Sequence, residues 1–462
     1  MSDSSARLSA SQGEDGRAPA IPLDVVILFL LVLFNLPTEH HLEFGQDFAD
    51  LAKTGAFFAR LFDGSLVRNP VSALQVSAAV LLLALYALAG AGVLFSRSRE
   101  RARGVLLSLL VLLLVVLPAV AEIDLRFAAG PRDHAHDGGV IQTEEALRLF
   151  LDGTNPYEAD YRSTPMAGLP WGPNNPAIIH HPYLPLSFLI HLPGYAIGRA
   201  LFGAYDTRIL YLLLFAVPFF LIPRWTGRGE NRLALAALWG LNPFLVPHLI
   251  EGRNDVVVVV MLVVAAHLLL ARRLLASAVV LGLACSTKQF AVLLLPFYCV
   301  HVGAVAGWGE TLRRGAKKTL PVLGPIVIFV VPFFLWNPAA FLDDTWAFNV
   351  GLSEVSYPLG GTPGYGFANW INAFGLVPSR FHYFPFGIIQ AVVLLPLLGV
   401  LLRRQRAHPT IAALLAHFSL FLLLFLYFSR LFHHNYLGLI FLFLAVLPFA
   451  ERLGVGEEKS GS

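Results

Sequence analysis

Apolar residues run in long blocks along this chain, at 23–36, 71–95, 104–120, 207–223, 233–250, 255–271, 319–336, 385–402, 410–428 and 435–450. Each block reaches or approaches the ~20 residues a helix needs to cross a hydrocarbon core about 30 Å thick. Two further runs carry internal breaks: 183–202 at Pro193–Gly194, and 274–300 at Ser286, Thr287, Lys288 and Gln289. The pattern predicts an all-α polytopic membrane protein with about ten full spans and two broken or hairpin segments. The polar stretch after the run 104–120 differs. It leads into VIQTEEALRLFLDG, where Val140, Leu147, Phe150 and Leu151 fall on one helical stripe and Gly153 supplies a stop. That spacing predicts an amphipathic helix lying in the membrane interface, within a large first external loop.

Composition agrees with the pattern. Of 462 residues, 56% are hydrophobic and 14% charged, against about 25% charged in a soluble domain. The net charge of +3 is small and the arginines are scattered over short loops, so no nucleic-acid partner is expected. Cys285 and Cys299 both lie in apolar runs and the external segments contain no cysteine, which leaves no disulfide framework. Residues 1–21 are small and polar and read as a disordered cytoplasmic tail. The first apolar run lacks a cleavage-site pattern and reads as a membrane span.

Basic loops should face the cytoplasm. Arg97, Arg99, Arg101 and Arg103 make one such group; Arg224, Arg228 and Arg232 a second; Arg313, Arg314, Lys317 and Lys318 a third; Arg403, Arg404 and Arg406 a fourth; Arg272–Arg273 a weaker fifth. All five fall inside if 183–202 and 274–300 each enter the bilayer and return. Both termini are then cytoplasmic. Loop 121–182, the turn Glu251–Asp255, the break at Lys288, loop 337–384 and the turn Ser429–Asn435 share the opposite face. Ionisable groups near a bilayer are costly and usually mark function.

On that face Asp137 stands just before a helix N-terminus, where negative charge is favoured, and is a candidate general base; the alternative is a capping or solvated aspartate. Asp133, His134 and His136 beside it form a candidate divalent-cation cluster or a set of solvated loop residues; their spacing fits no standard zinc pattern and flexible glycines follow. Arg253 and Asn254 open an apolar helix, and the arginine can fork onto a phosphate or pair with Glu251 or Asp255. Lys288, the lone cation of its run, is read as a phosphate ligand or as a snorkelling side chain. Arg430, His433 and His434 sit in a short external turn. His181 begins the first broken run, and its prolines fix the chain's entry to the membrane.

In chain order, an external-loop aspartate, an amphipathic helix ending in G-T-N-P-Y (Gly153 to Tyr157), H-P-Y-L-P-L from His181, G-R-N-D from Gly252, G-L-A-C-S-T-K-Q-F-A-V-L-L-L-P from Gly282 and H-H-N-Y from His433 resemble the GT-C glycosyltransferases that use polyprenyl-phosphate sugars. The nearest group is family 87, which includes mycobacterial mannosyltransferases of phosphatidylinositol mannoside synthesis. The resemblance covers 104–450, leaving 22–103 as an additional N-terminal transmembrane pair and 451–462 as a cytoplasmic tail. Relatives often have G-Q-x-N where this chain has Gly252–Arg253–Asn254, and an aromatic where it has Gly138–Gly139. Asp47, in G-Q-D-F-A-D, is a competing base.

The resemblance implies an inverting transferase of the plasma membrane. It would move a hexose, mannose by family analogy, from a polyprenyl-phosphate donor to a hydroxyl on a glycolipid or glycan. Asp137 would be the base; Arg253, Lys288, Arg430, His433 and His434 would hold the donor phosphate; and His181, Asn254 and Asp133 are additional candidates. The scheme requires no cofactor or metal. Two other classes stay open: a lipid or solute transporter built on broken helices, and a lipid-binding partner without catalysis.

Overall fold

A computed structural model describes residues 21–37, 55–61, 70–95, 97–130, 133–168, 176–361 and 364–454. Asp47 and both chain ends lie outside the described residues. Among the described residues the regular elements are helices, with no strand.

Four helices are long and apolar enough to cross a membrane: α2 (Pro70–Gly90), α3 (Arg99–Ala129), α5 (Arg208–Trp225) and α10 (Phe386–Ala407). A fifth span arises if α8 (Gln289–Gly303) and α9 (Trp308–Phe329), bent by 112° at their junction, are counted together. The expected ten full spans are not found as ten long helices. The other apolar runs fold as shorter helices of 10–17 residues, among them α1 (Leu23–Asn35), α6 (Asp255–Leu270), α7 (Leu274–Cys285), α11 (Ile411–Tyr427) and α12 (His434–Ala445). At 1.5 Å per residue such helices measure about 15–25 Å, short of a full core. Periodicity cannot show where an apolar run changes direction, so it overestimates helix length.

The two broken runs behave differently. α7 stops at Cys285 and α8 begins at Gln289, so the polar break falls where Ser286, Thr287 and Lys288 predict it. In the other run the interruption lies at Ile190–His191, and Pro193 is taken into the first turn of the helix Leu192–Phe202. Proline is tolerated there because the first N–H groups of a helix have no intrahelical partner.

One large apolar core joins α1, α2, α3, α5, α6, α7, α11 and α12. The N-terminal helices are part of it. α1 packs on the helix Gly229–Gly240 and on α2, and buried Asp24 takes hydrogen bonds from Tyr86 Oη (2.5 Å) and Arg103 Nη1 (3.0 and 3.1 Å). The outward faces remain apolar: Leu81 on α2, Ile328 on α9, and Val392 and Leu395 on α10 are all exposed. Such a surface is stable only against lipid.

The amphipathic helix α4 is Gln142–Leu151. Its buried face, Ala146 and Leu147 with Phe150, packs on Phe188 and Phe333. Its base is clamped: Arg126 at the end of α3 donates to Glu144 (3.0 and 2.8 Å) and to Asp206 (2.7 Å), and Asp206 also accepts from Arg208 Nε and Nη2 at 2.9 and 2.8 Å. Two buried arginines thus face one buried and one partly buried carboxylate, and this pairing is what lets such a group sit away from water.

Candidate active site

The site begins with a backbone contact. Asp137 opens a wide π-helical turn, Asp137–Ile141, that leads into α4. The two glycines after it, expected to be flexible, are buried and packed. A Cβ on Gly139 would overlap the Gly252 carbonyl and stand 2.7 Å from Arg253 Cα; one on Gly138 would stand 2.8 Å from Tyr183 Oη. No side chain fits at either position, so the glycine pair lets the Asp137 turn lie directly against the 252–253 turn. Two more bonds fix the seat: His136 N–H donates to the Glu251 carbonyl at 3.0 Å, and Tyr211 Oη donates to the Gly139 carbonyl at 2.7 Å.

The Asp137 carboxylate is about one-fifth exposed and accepts the N–H of Gly138 at 2.6 Å. His136 Nδ1 lies 3.2 Å away but already accepts the Gly139 N–H at 3.1 Å. Burial lowers this ring below its ordinary value. A neutral His136, protonated on Nε2, satisfies both facts and leaves the Asp137 charge uncancelled by that ring.

Facing this seat is a hydrogen-bonded row. Arg253 Nε donates to Glu251 Oε2 at 3.0 Å, His248 Nδ1 lies 3.3 Å from the same oxygen, and His248 Nε2 lies 3.0 Å from His434 Nδ1. Burial alone would raise Glu251, but its bond to His248 and the nearby Arg253 outweigh it and hold the carboxyl at about 2. Of the expected phosphate ligands, Arg253 and His434 therefore meet in one row on the rim of the Asp137 seat.

Lys288 is buried and paired. Its Nζ lies 2.5 Å from Asp255 Oδ1, and Asp255 Oδ2 accepts from Asn435 Nδ2 at 2.7 Å. The ammonium also stands 5.1 Å from the centre of the Tyr183 ring, an attractive cation–π placement. Tyr183 thus separates Gly138 from Lys288. Burial pushes the Tyr183 phenol well above its ordinary value, and Tyr357, Asp137, Asp255 and Tyr436 add to the shift.

Other expected residues sit differently. Arg430 is buried, and its guanidinium donates to the Tyr357 carbonyl (3.1 and 2.7 Å) and the His382 carbonyl (3.1 Å). It buttresses loop 337–384 and is committed to carbonyls rather than turned toward an anion. His433 packs on Gly361 and Tyr436. His181 is fully buried among Tyr157, Tyr161, Tyr183 and Phe188, and neither ring nitrogen has a hydrogen-bond partner among the described residues. Burial lowers it to about 3, so it is a neutral core histidine. Asn254 is buried at the entry to α6, its Nδ2 without such a partner. His134 Nδ1 turns to Glu122 Oε2 at 3.0 Å, and Asp133 lies beside Gly130. The Asp133–His134–His136–Asp137 cluster does not gather as a metal site.

Asp255, Tyr183, His248, Glu251 and Asn435 escaped the list of sequence candidates. Asp255 carried a legible signal: a lone lysine in an apolar run requires a counter-charge at similar depth. The histidine row carried none, because its members lie 186 positions apart.

A helical bundle with apolar outer faces thus carries a carboxylate and a row of hydrogen-bonded arginine, glutamate and histidine side chains on one rim. Residues 147–304 match a family model described as alpha-(1->6)-mannopyranosyltransferase, N-terminal domain. That family is an alpha-mannosyltransferase, a glycosyltransferase, in agreement with the GT-C, family 87-like resemblance. The matched stretch contains His248, Glu251, Arg253, Asp255 and Lys288, while Asp137 and His434 lie outside it. No curated protein and no solved structure matches the chain.

Proposed function

We propose that this chain transfers mannose, with inversion, from a polyprenyl-phosphate mannose to a hydroxyl of a glycolipid or glycan at the non-cytoplasmic face of the plasma membrane. Supporting this most directly is the single backbone seat, Gly139 on Gly252–Arg253, which holds the Asp137 carboxylate and the Arg253 guanidinium in fixed relation.

In the proposed step the acceptor oxygen attacks the anomeric carbon while its proton passes to the Asp137 carboxylate. The bond from the anomeric carbon to the phosphate oxygen breaks on the opposite face, and its electron pair leaves with the lipid phosphate. One carboxylate suffices, unlike the two-acid glycosidases. The charge growing on the phosphate meets Arg253, aligned by Glu251, and His434, aligned by His248. Fixed charges in a partly dry site act more strongly than in water. Lys288 reaches the site only through its pairing with Asp255 and its contact with Tyr183, so we assign it to positioning the site's floor. The single phosphate of the donor needs little neutralisation, and no step is routed through a metal. The outer-side assignment of this rim rests on taking the five basic loops as cytoplasmic.

Purified chain in lipid nanodiscs, offered mannosyl-phosphoryl polyprenol and a mannoside acceptor, should form a product one mannose larger with inverted anomeric configuration. Product formed only from a nucleotide-linked mannose would reject the donor assignment.

A further inference from the structure

Away from the Asp137 rim, the segment before the first broken run meets loop 337–384 through three metal-ligating side chains. The His180 Nδ1 lies 2.7 Å from Asp344 Oδ1 and 3.6 Å from Asp343 Oδ2, and one donor atom from each residue falls within 4.8 Å of the others. We propose that His180, Asp343 and Asp344 form a binding site for a divalent cation of the Mn2+ class, which ties loop 337–384 to the 176–187 segment.

Three observations carry this. The first is orientation. Each carboxylate has one oxygen held by a donor outside the group: Asp344 Oδ2 by the His181 N–H at 2.8 Å, and Asp343 Oδ1 by the Ser353 hydroxyl. The other oxygen of each turns toward His180 Nδ1. Metal carboxylates are fixed by outer hydrogen bonds in this way.

The second is spacing. Ligands about 2.2 Å from an octahedral ion stand about 3.1 Å apart, and the separations of 2.7 and 3.6 Å bracket that value. The third is burial. Asp344 is almost fully buried, and among the described residues no arginine or lysine is bonded to it.

The donor set, one imidazole and two carboxylates, suits Mn2+ better than a thiolate-seeking ion. Asp343 is about half exposed, which leaves one side of the ion open to water. The ring of His180 lies 4.5 Å from that of Phe348, and Phe348 lies 5.2 Å from Tyr357, whose carbonyl holds Arg430. An ion here would stiffen the loop that borders the Asp137 rim without touching the transferred sugar.

The test is a Mn2+ titration of the purified full-length chain, with free Mn2+ read by electron paramagnetic resonance. Wild type should take up one equivalent and gain thermal stability that a chelator removes. Asp343→Asn, at the exposed ligand, should lower affinity by at least tenfold while leaving the melting temperature without metal unchanged. Ser353→Ala should lower affinity by about 10- to 100-fold. No uptake by wild type would overturn the proposal, as would equal uptake by Asp343→Asn and His180→Gln.

Discussion

At the scale of single residues, the chain uses one residue type for opposed purposes. His136 accepts an amide proton beside the proposed base, His248 and His434 carry a row of hydrogen bonds to the rim, and His181 is walled in by aromatic rings. Burial fixes His181 in its neutral form, with its value lowered to about 3 from an ordinary 6.5. A folded-state value below the unfolded one means that the unfolded chain binds the proton first. Stability should therefore fall as pH drops from about 6.5 toward 3. His181→Phe removes two unpartnered buried nitrogens while keeping the aromatic packing. It should raise the melting temperature in detergent, by more at pH 5 than at pH 8. A variant that melts lower at both pH values would place a polar partner on that ring.

Between elements, the decisive feature is how closely two turns approach. Gly139 lies between the first external loop and the turn before α6 with no room for a methyl group. Gly139→Ala should push Asp137 away from Arg253 and cut kcat by about 10²-fold, since a shift of about 1 Å at a reacting group has that cost. Cross-linking or spectroscopy should still report a folded bundle. The Lys288–Asp255 pair tests the reverse situation. Lys288→Met alone strands a buried carboxylate and should cost about 3–5 kcal/mol, whereas adding Asp255→Asn should recover most of that loss. Both effects are read as thermal unfolding.

These contacts also mark how far the sequence is legible. The amphipathic helix appears in the spacing of Val140, Leu147, Phe150 and Leu151, although Leu151 is exposed and Val140 lies in the turn before the helix, and the break at Lys288 appears in the cluster of polar residues. The glycine pair reads as flexibility because sequence alone does not reveal what lies across from it. Arg430 looks like a phosphate ligand for the same reason: its carbonyl partners at Tyr357 and His382 belong to a loop without periodicity.

For the molecule as a whole, the helical class and the lipid-facing surface follow from composition, while the division into spans does not. One turn falls at Ile190–His191 rather than at Pro193–Gly194, and α8 and α9 meet at a 112° junction just before the basic segment Trp308–Thr319. The additional N-terminal pair packs into the common core through Val25, Leu28, Leu83 and Tyr86, with Asp24, Tyr86 and Arg103 bonded to one another beside it. The bundle brings residues from three distant stretches, around 137, 253 and 434, to one rim.

That convergence is measured most directly by comparing Asp137→Asn with wild type in nanodiscs, reading mannose transfer and polyprenyl-phosphate binding in the same preparation. Transfer should fall by at least about 10³-fold while lipid-phosphate affinity stays within twofold, because the base is lost and Arg253 and His434 remain. Undiminished transfer by Asp137→Asn would contradict it.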